Sequence, residues 1–247
     1  MQVVLLAASC WEEVEAALSQ VRLPAADEEP VCRLDSGLDL AEQVPQVLVP
    51  RLKGWRPARA PGKGAPIRVG GRYVVTGGRG ALGSACVDYL LAQGAGSVAV
   101  LSRSEPRDSD PRAQWMRCDV SEAAPLQEAI DSLRAGGPIH GVLHLAGALA
   151  DKTLAQQSEQ NIRVAFGPKV LPYLMLPQLE PTDFLVLFSS AAAVLGSPGQ
   201  AAYAAANGAL DGLAGLATGA CPVTSIQWGP WGEAGGERRR DGGLRSA

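Results

Sequence analysis

The sequence predicts an α/β chain built on a doubly wound parallel sheet. Three observations carry that prediction. From residue 72 onward, apolar runs of strand length alternate with stretches of helical length. The runs are almost continuously apolar, as strands covered on both faces are. A Gly-rich turn stands directly between the first of these runs and the first helical stretch. The chain has 247 residues, 47% of them apolar, enough for one full α/β domain and an appendage.

The elements follow in order. Residues 3–7 form a strand-like run. Residues 11–21 follow, with Val14, Ala17, Leu18 and Val21 at helical spacing. Residues 47–49 are another short apolar run. This β-α-β-sized piece, residues 1–53, is too small for a core of its own and is expected to pack on the main domain. Residues 54–71 read as a linker, with Pro57, Pro61, Gly62, Gly64 and Pro66. The main domain, 72–247, then alternates. Strands are expected at 73–75, 97–101, 115–117, 141–145, 184–188 and 224–228. Helices are expected at 81–93, 124–133 and 201–216. A further helical stretch at 160–179 is expected to break near Pro168 and Pro172.

Composition narrows the function classes. The net charge of -3 gives no general attraction for nucleic acid or an anionic membrane. Arg238, Arg239 and Arg240 sit beside Glu237 and Asp241 and read as a solvated tail. Five cysteines, at 10, 32, 86, 118 and 221, are scattered and form no CxxC, which points to a reducing, cytoplasmic setting rather than a disulfide framework or zinc site. No apolar run reaches membrane-span length, and the N-terminus has no secretory pattern. Neither end reads as a natural terminus, so a segment of a larger polypeptide is expected. His140 and His144 are four apart, but on a strand that spacing separates them by about 13 Å, so no metal pair is expected.

The Gly-rich turn is Thr76, Gly77, Gly78, Arg79, Gly80, Ala81, Leu82 and Gly83. Glycines let the backbone turn tightly and approach a pyrophosphate, and the following helix offers free N–H groups and a positive dipole end. That makes the domain Rossmann-type, with a dinucleotide as its ligand. The next strand ends in Ser102, Arg103 and Ser104 rather than an acidic residue. An Arg there pairs with a 2′-phosphate, so the expected cofactor is NADPH. Asp119, in Cys118-Asp119-Val120, is placed either to accept from the adenine amine or to N-cap the next helix.

Tyr203 and Asn207 share one helix face, four residues apart. Ser190 lies thirteen residues before Tyr203, at the end of a strand, with the small-residue loop 191–200 between them. In this the sequence resembles the short-chain dehydrogenase/reductase superfamily, whose Ser and Tyr have this spacing. Ser189 is the rival at the strand end, and the spacing selects Ser190. The superfamily's Tyr-x-x-x-Lys is Tyr-Ala-Ala-Ala-Asn here, and Lys169 lies on the preceding helical stretch. This exchange of Lys and Asn resembles the ketoreductase domains of modular polyketide synthases and animal-type fatty acid synthases. The strings Leu187-Phe188-Ser189-Ser190, His144-Leu145-Ala146-Gly147, Trp228-Gly229-Pro230-Trp231 and Val49-Pro50-Arg51-Leu52 resemble the polyketide branch.

The resemblance implies NADPH-dependent reduction of a β-ketoacyl thioester carried by an acyl carrier protein, beside other domains of a megasynthase. Tyr203 would donate a proton and Ser190 a hydrogen bond to the carbonyl oxygen. A free phenol ionises near pH ~10, and a neighbouring ammonium, here Lys169, favours its charged form. Asn207 would hold Lys169 or a relay water. Val120, Ala146 and Gly147 would complete the cofactor wall. Leu149, Asp151, Leu195 and Gln200 would bear on stereochemistry: Leu149-Ala150-Asp151 keeps the second Asp of a Leu-Asp-Asp string, and Leu195 stands where the opposite class has Trp. A B1-type hydroxyl is expected. Against the family pattern, residues 1–53 are a truncated N-terminal structural subdomain and the C-terminal lid region is incomplete. The competing readings are a non-catalytic NADPH-binding or scaffolding module and a free-standing reductase of a small ketone.

Overall fold

The computed structural model describes residues 2–6, 32–35, 67–104, 111–217 and 221–229. Eight strands run through these: β1 (Gln2–Leu6), β2 (Cys32–Asp35), β3 (Arg72–Thr76), β4 (Ser97–Ser102), β5 (Ala113–Arg117), β6 (Gly141–His144), β7 (Phe184–Ser190) and β8 (Val223–Trp228). The helices are α1 (Ala81–Ala92), α2 (Ala123–Ala135), α3 (Glu159–Met175), α4 (Ala192–Leu195) and α5 (Ala201–Gly215). The strands form one sheet in the order β2-β1-β8-β7-β6-β3-β4-β5. Each neighbouring pair of these strands runs parallel.

Successive residues of each central strand serve opposite faces. Tyr73, Val75, Val98, Val100, Leu143, Phe184, Val186 and Phe188 join one core, which α1 covers through Cys86, Val87, Leu90 and Leu91. Val74, Ala99, Leu101, Val142, Leu185 and Leu187 join the other, under Leu126, Ile130 and Leu133 of α2 and Leu210 of α5. The two-residue strand period thus feeds two cores, which is the physical content of a doubly wound sheet. Strand order reverses beside β3, between β4 and β6, and puts a crevice at the carboxyl ends of those strands.

The N-terminal strands extend this sheet. β1 pairs with β8, Val4 opposite Ile226, and β2 pairs with β1. The second N-terminal strand is Cys32–Asp35, where the sequence pattern predicts none. The expected helix at 11–21, the run at 47–49, most of the 54–71 linker, Trp231, the Arg238–Arg240 run and the lid region all lie outside the described residues.

Two expectations need correction. The break near Pro168 and Pro172 does not occur: α3 runs unbroken through both, and only residues 176–179 tighten to a 3₁₀ turn. Each proline removes one backbone donor, a cost of about 3 kcal/mol in a helix interior. The helix is held instead by a capping box between Ser158 and Asn161 and by Ala165, Lys169, Pro172 and Tyr173, buried at helical spacing. The Tyr173 hydroxyl donates to Leu213 O at 2.8 Å, tying α3 to α5. The loop expected over 191–200 contains the one-turn helix α4. Among the described residues, no helix is long and apolar enough to cross a membrane.

Candidate active site

The Gly-rich turn leaves β3 at Thr76 and enters α1 at Ala81. Gly77 has φ +72°, a conformation that suits glycine, and a Cβ there would lie 2.8 Å from the backbone of Ala146. A Cβ on Gly83 would lie 2.5 Å from Gly77 O, so α1 packs directly against the turn. Gly80 caps α1 with no side-chain bond to its first N–H groups. The turn borders a cavity of about 1170 Å³. Arg79, Ser102, Arg103, Asp119, Val120, Ala146 and Gly147 also line it, and α3 closes it with Gln160, Arg163 and Gly167.

These features fit a dinucleotide. The glycines leave a cradle that side chains would fill, the helix start is uncapped, and Arg79 and Arg103 stand at the rim. The Arg79 guanidinium donates to Ser104 Oγ, which places it over the Ser102–Arg103–Ser104 corner. Asp119 is not an N-cap; that position belongs to Glu122. Asp119 Oδ1 instead accepts from Ser121 N at 3.0 Å and Ser121 Oγ at 2.6 Å. Those bonds, with the charge of Arg103, hold its carboxyl below the usual range.

Lys169 sits on the face of α3 turned to the sheet, and only 4% of it is exposed. Its Nζ donates to Phe188 O at 2.6 Å. Burial pulls the ammonium down to about 8, and the Asp211 carboxylate works against that shift. The side chain lies over Gly147, where a Cβ would be 3.1 Å from Lys169 Cε. The backbone of the same residue is fixed from β6: His144 Nε2 lies 2.9 Å from Lys169 O. Because a carbonyl only accepts, Nε2 carries the proton, Nδ1 is the acceptor, and the Thr76 hydroxyl donates to it at 2.6 Å. Thr76 Oγ1 in turn accepts from Ala146 N at 3.2 Å. His144 is fully buried, and burial drives its pKa to about 3, so this relay is neutral.

Tyr203 and Asn207 lie on α5, packed on α3 through Ala202, Ala206 and Ala165. Asn207 is buried, and its Nδ2 donates to Tyr203 O at 2.9 Å. Among the described residues its Oδ1 has no hydrogen-bond partner. Ser189 and Ser190 part company at the end of β7, as neighbours on a strand do. Ser189 is buried with its hydroxyl at Asn207 O, 3.4 Å away. Ser190 is half-buried, and its Oγ accepts from Ala192 N at 3.2 Å.

The fold thus brings together α3, the end of β7 and α5, the elements that carry Lys169, Ser190, Tyr203 and Asn207. Among the described residues the one direct hydrogen bond between them is that from Asn207 Nδ2 to the backbone Tyr203 O. Lys169 is held by Phe188 O, so of the two partners expected for Asn207, Lys169 or a relay water, the first is not met. None of the four lines the large cavity. Asp151 and Gln200 do meet, Gln200 Nε2 donating to Asp151 Oδ2 at 3.1 Å. The backbones beside them pair as well, Lys152 N donating to Gly199 O at 2.8 Å. Leu149 and Leu195 are exposed, at 48% and 62%. Sequence reasoning missed the Thr76–His144 relay and the buried Asp211 carboxylate that Ser225 and Gln227 hold. Both had signals: His144 is a polar residue in a buried strand, and Asp211 continues the 203, 207 spacing on α5.

Comparison with known proteins places this arrangement. The family model described as KR domain matches residues 71–233. A phenolphthiocerol/phthiocerol polyketide synthase of Mycobacterium tuberculosis is 38% identical over 190 residues, covering 70% of this chain and 10% of that protein. Polyketide synthase GfsA of Streptomyces halstedii is 38% identical over 192 residues, covering 69% of this chain and 3% of that protein. The chain therefore spans about a tenth or less of these two relatives. Among solved structures, a ketoreductase domain from the bacillaene assembly line superposes with a TM-score of 0.61 at 25% identity, over 69% of this chain and 46% of that one. A 4-hydroxyisoleucine dehydrogenase complexed with NADH and succinate gives 0.59 at 18% identity, over 66% and 85%. That last likeness concerns the fold.

Proposed function

The chain belongs to the KR domain family, and on that footing we propose that it is a ketoreductase domain that reduces a β-ketoacyl thioester to the β-hydroxyacyl thioester. The observation that carries this reading is the convergence of a buried Lys169, Ser190, Tyr203 and Asn207 beside a glycine cradle. Its cofactor would be NADPH, held by the turn from Thr76 to Gly83, with Arg79 and Arg103 on the 2′-phosphate and Val120, Ala146 and Gly147 along the wall. When bound there, it would supply the hydride for the reduction.

The chain's own residues handle the oxygen. Ser190 donates a hydrogen bond to it, and Tyr203 delivers the proton that completes the hydroxyl. Lys169, charged at neutral pH, steadies the phenolate left behind. Asn207 fixes the Tyr203 backbone and keeps its Oδ1, unpaired among the described residues, for the proton path. The Asp151–Gln200 tie shapes the approach of the acyl chain, with Leu149 and Leu195 at its rim.

In this reading residues 72–247 are the catalytic domain, 1–53 an N-terminal structural part joined through the sheet edge, and 54–71 the linker. The acyl group arrives on an acyl carrier protein, among other domains of a cytoplasmic megasynthase. The polyketide synthases that the chain resembles support that setting. One observation favours a second reading, a cofactor-binding module without turnover: none of the four proposed catalytic residues lines the large cavity. NADPH oxidation on addition of a 3-oxoacyl thioester separates them. Turnover supports the reductase, and fluorescence-detected NADPH binding without oxidation supports the module.

A further inference from the structure

β5 ends the sheet on one side, and its last residue is charged. Trp115 packs on the first core and Met116 on the second, as neighbours on a strand do. Arg117 follows them, exposed, in register with Ser102 of β4. The pairing is locked just beyond, where Cys118 N donates to Ser102 O at 2.9 Å. Adjacent strands lie about 4.8 Å apart, so Arg103 and Arg117 stand at one corner, where β4 and β5 end.

A second cavity, of about 400 Å³, opens at that corner. Its wall is Ser102, Arg103, Ser104, Trp115, Met116 and Arg117. The first three also line the large cavity, so the two spaces share the Ser102–Arg103–Ser104 corner. The wall is chemically one-sided. Among the described residues it holds two guanidiniums, two hydroxyls and an indole N–H, and no carboxylate. Trp115 Nε1 is buried and, among the described residues, unpaired.

The other described arginines are occupied. Arg68 pairs with Asp183, Arg134 with Glu180 and Arg163 with Glu159. Arg72, Arg79 and Arg112 donate to oxygens of the chain. Among the described residues, the guanidiniums of Arg103 and Arg117 make no ion pair or hydrogen bond. Two such guanidiniums beside hydroxyl donors suit a phosphate, to which each can give a pair of parallel bonds.

We infer that Arg117 is a specificity-determining residue of the cofactor site: with Arg103 it forms a two-guanidinium clamp on the 2′-phosphate, reached from the edge strand. The inference rests on the NADPH reading proposed above. The smaller cavity then takes the 2′-phosphate, and the glycine cradle of the larger one takes the pyrophosphate. Arg117 is exposed, so water screens its charge and its effect is smaller than that of Arg103.

Fluorescence titration of the full chain with NADPH and with NADH tests the clamp, for wild type, Arg117→Ala and Arg117→Lys. The position is an exposed strand end, so neither substitution disturbs a core. Arg117→Ala is expected to weaken NADPH binding about three- to tenfold and to leave NADH binding unchanged. Arg117→Lys keeps the charge and loses the planar fork, so it is expected to recover part of the lost preference, most at low salt. A wild type that prefers NADPH and an Arg117→Ala with the same preference overturn the clamp and leave the cofactor reading standing. Equal weakening of both cofactors means that Arg117 only supports the sheet edge, and overturns the clamp as well. A wild type that binds the two cofactors alike, or neither, rejects the NADPH reading, and the clamp falls with it.

Discussion

His144 Nε2 reaches the backbone carbonyl of Lys169 across 2.9 Å, and so fixes the residue that carries the buried ammonium. Through Thr76 the same imidazole is tied to the first residue of the Gly-rich turn. The cofactor cradle and the displaced lysine are therefore one hydrogen-bonded unit. Gly147 reinforces it, since a Cβ there would crowd the Lys169 side chain, 3.1 Å from Cε.

This relay makes stability depend on acid. An unfolded imidazole takes up a proton below about 6.5, whereas the folded His144 resists until about 3. Its folded value is depressed, so the stability it allows is present above 6.5 and drains away as pH falls toward 3. Urea unfolding between those limits is expected to lose about 1 kcal/mol more per pH unit in wild type than in His144→Gln. Parallel slopes in the two proteins would show that the folded imidazole titrates normally.

In the proposed reading Arg103 decides the choice between phosphorylated and plain cofactor. It lines the cavity beside Arg79, and its charge already acts on Asp119. Arg103→Ala is expected to weaken NADPH binding by about tenfold or more, the worth of a charge-assisted hydrogen bond, and to leave NADH binding unchanged. Fluorescence titration with both cofactors measures the ratio. Equal weakening of the two would place Arg103 elsewhere than on the 2′-phosphate.

The Asp151–Gln200 contact bridges the segment after β6 to the start of α5. Its exposure makes it worth little to global stability. Gln200→Ala is expected to shift the melting temperature slightly and to lower the excess of one hydroxyl enantiomer, read by chiral chromatography of the product. An unchanged enantiomer ratio would remove this pair from stereocontrol.

Much of the fold was legible because its strands are buried on both faces. Runs such as Val98 to Leu101 admit little but a central parallel strand. The Gly-rich turn was legible for a related reason: its glycines answer backbone contacts with Ala146 and within the turn itself. Helix α3 was not, because local rules weigh Pro168 and Pro172 but not the sheet that Lys169 and Tyr173 pack on. Nor was strand β2, whose Cys32–Asp35 has little apolar pattern and is ordered by pairing with β1. At the site, Tyr203 and Asn207 were paired by their helical spacing, and Ser190 and Lys169 were singled out by the resemblance to short-chain reductases and ketoreductase domains. The partners that hold Lys169, His144 Nε2 and Phe188 O, come from strands distant in sequence, one of them through a backbone atom.

The proton donor is the centre of the proposed chemistry, and Tyr203→Phe tests it most directly. The variant removes one hydroxyl from a half-buried helix position and leaves the turn, Lys169 and the cavity intact. NADPH oxidation with a 3-oxoacyl thioester is expected to fall at least about a hundredfold, with NADPH affinity unchanged. Turnover at the wild-type rate in Tyr203→Phe would contradict the role given to this tyrosine.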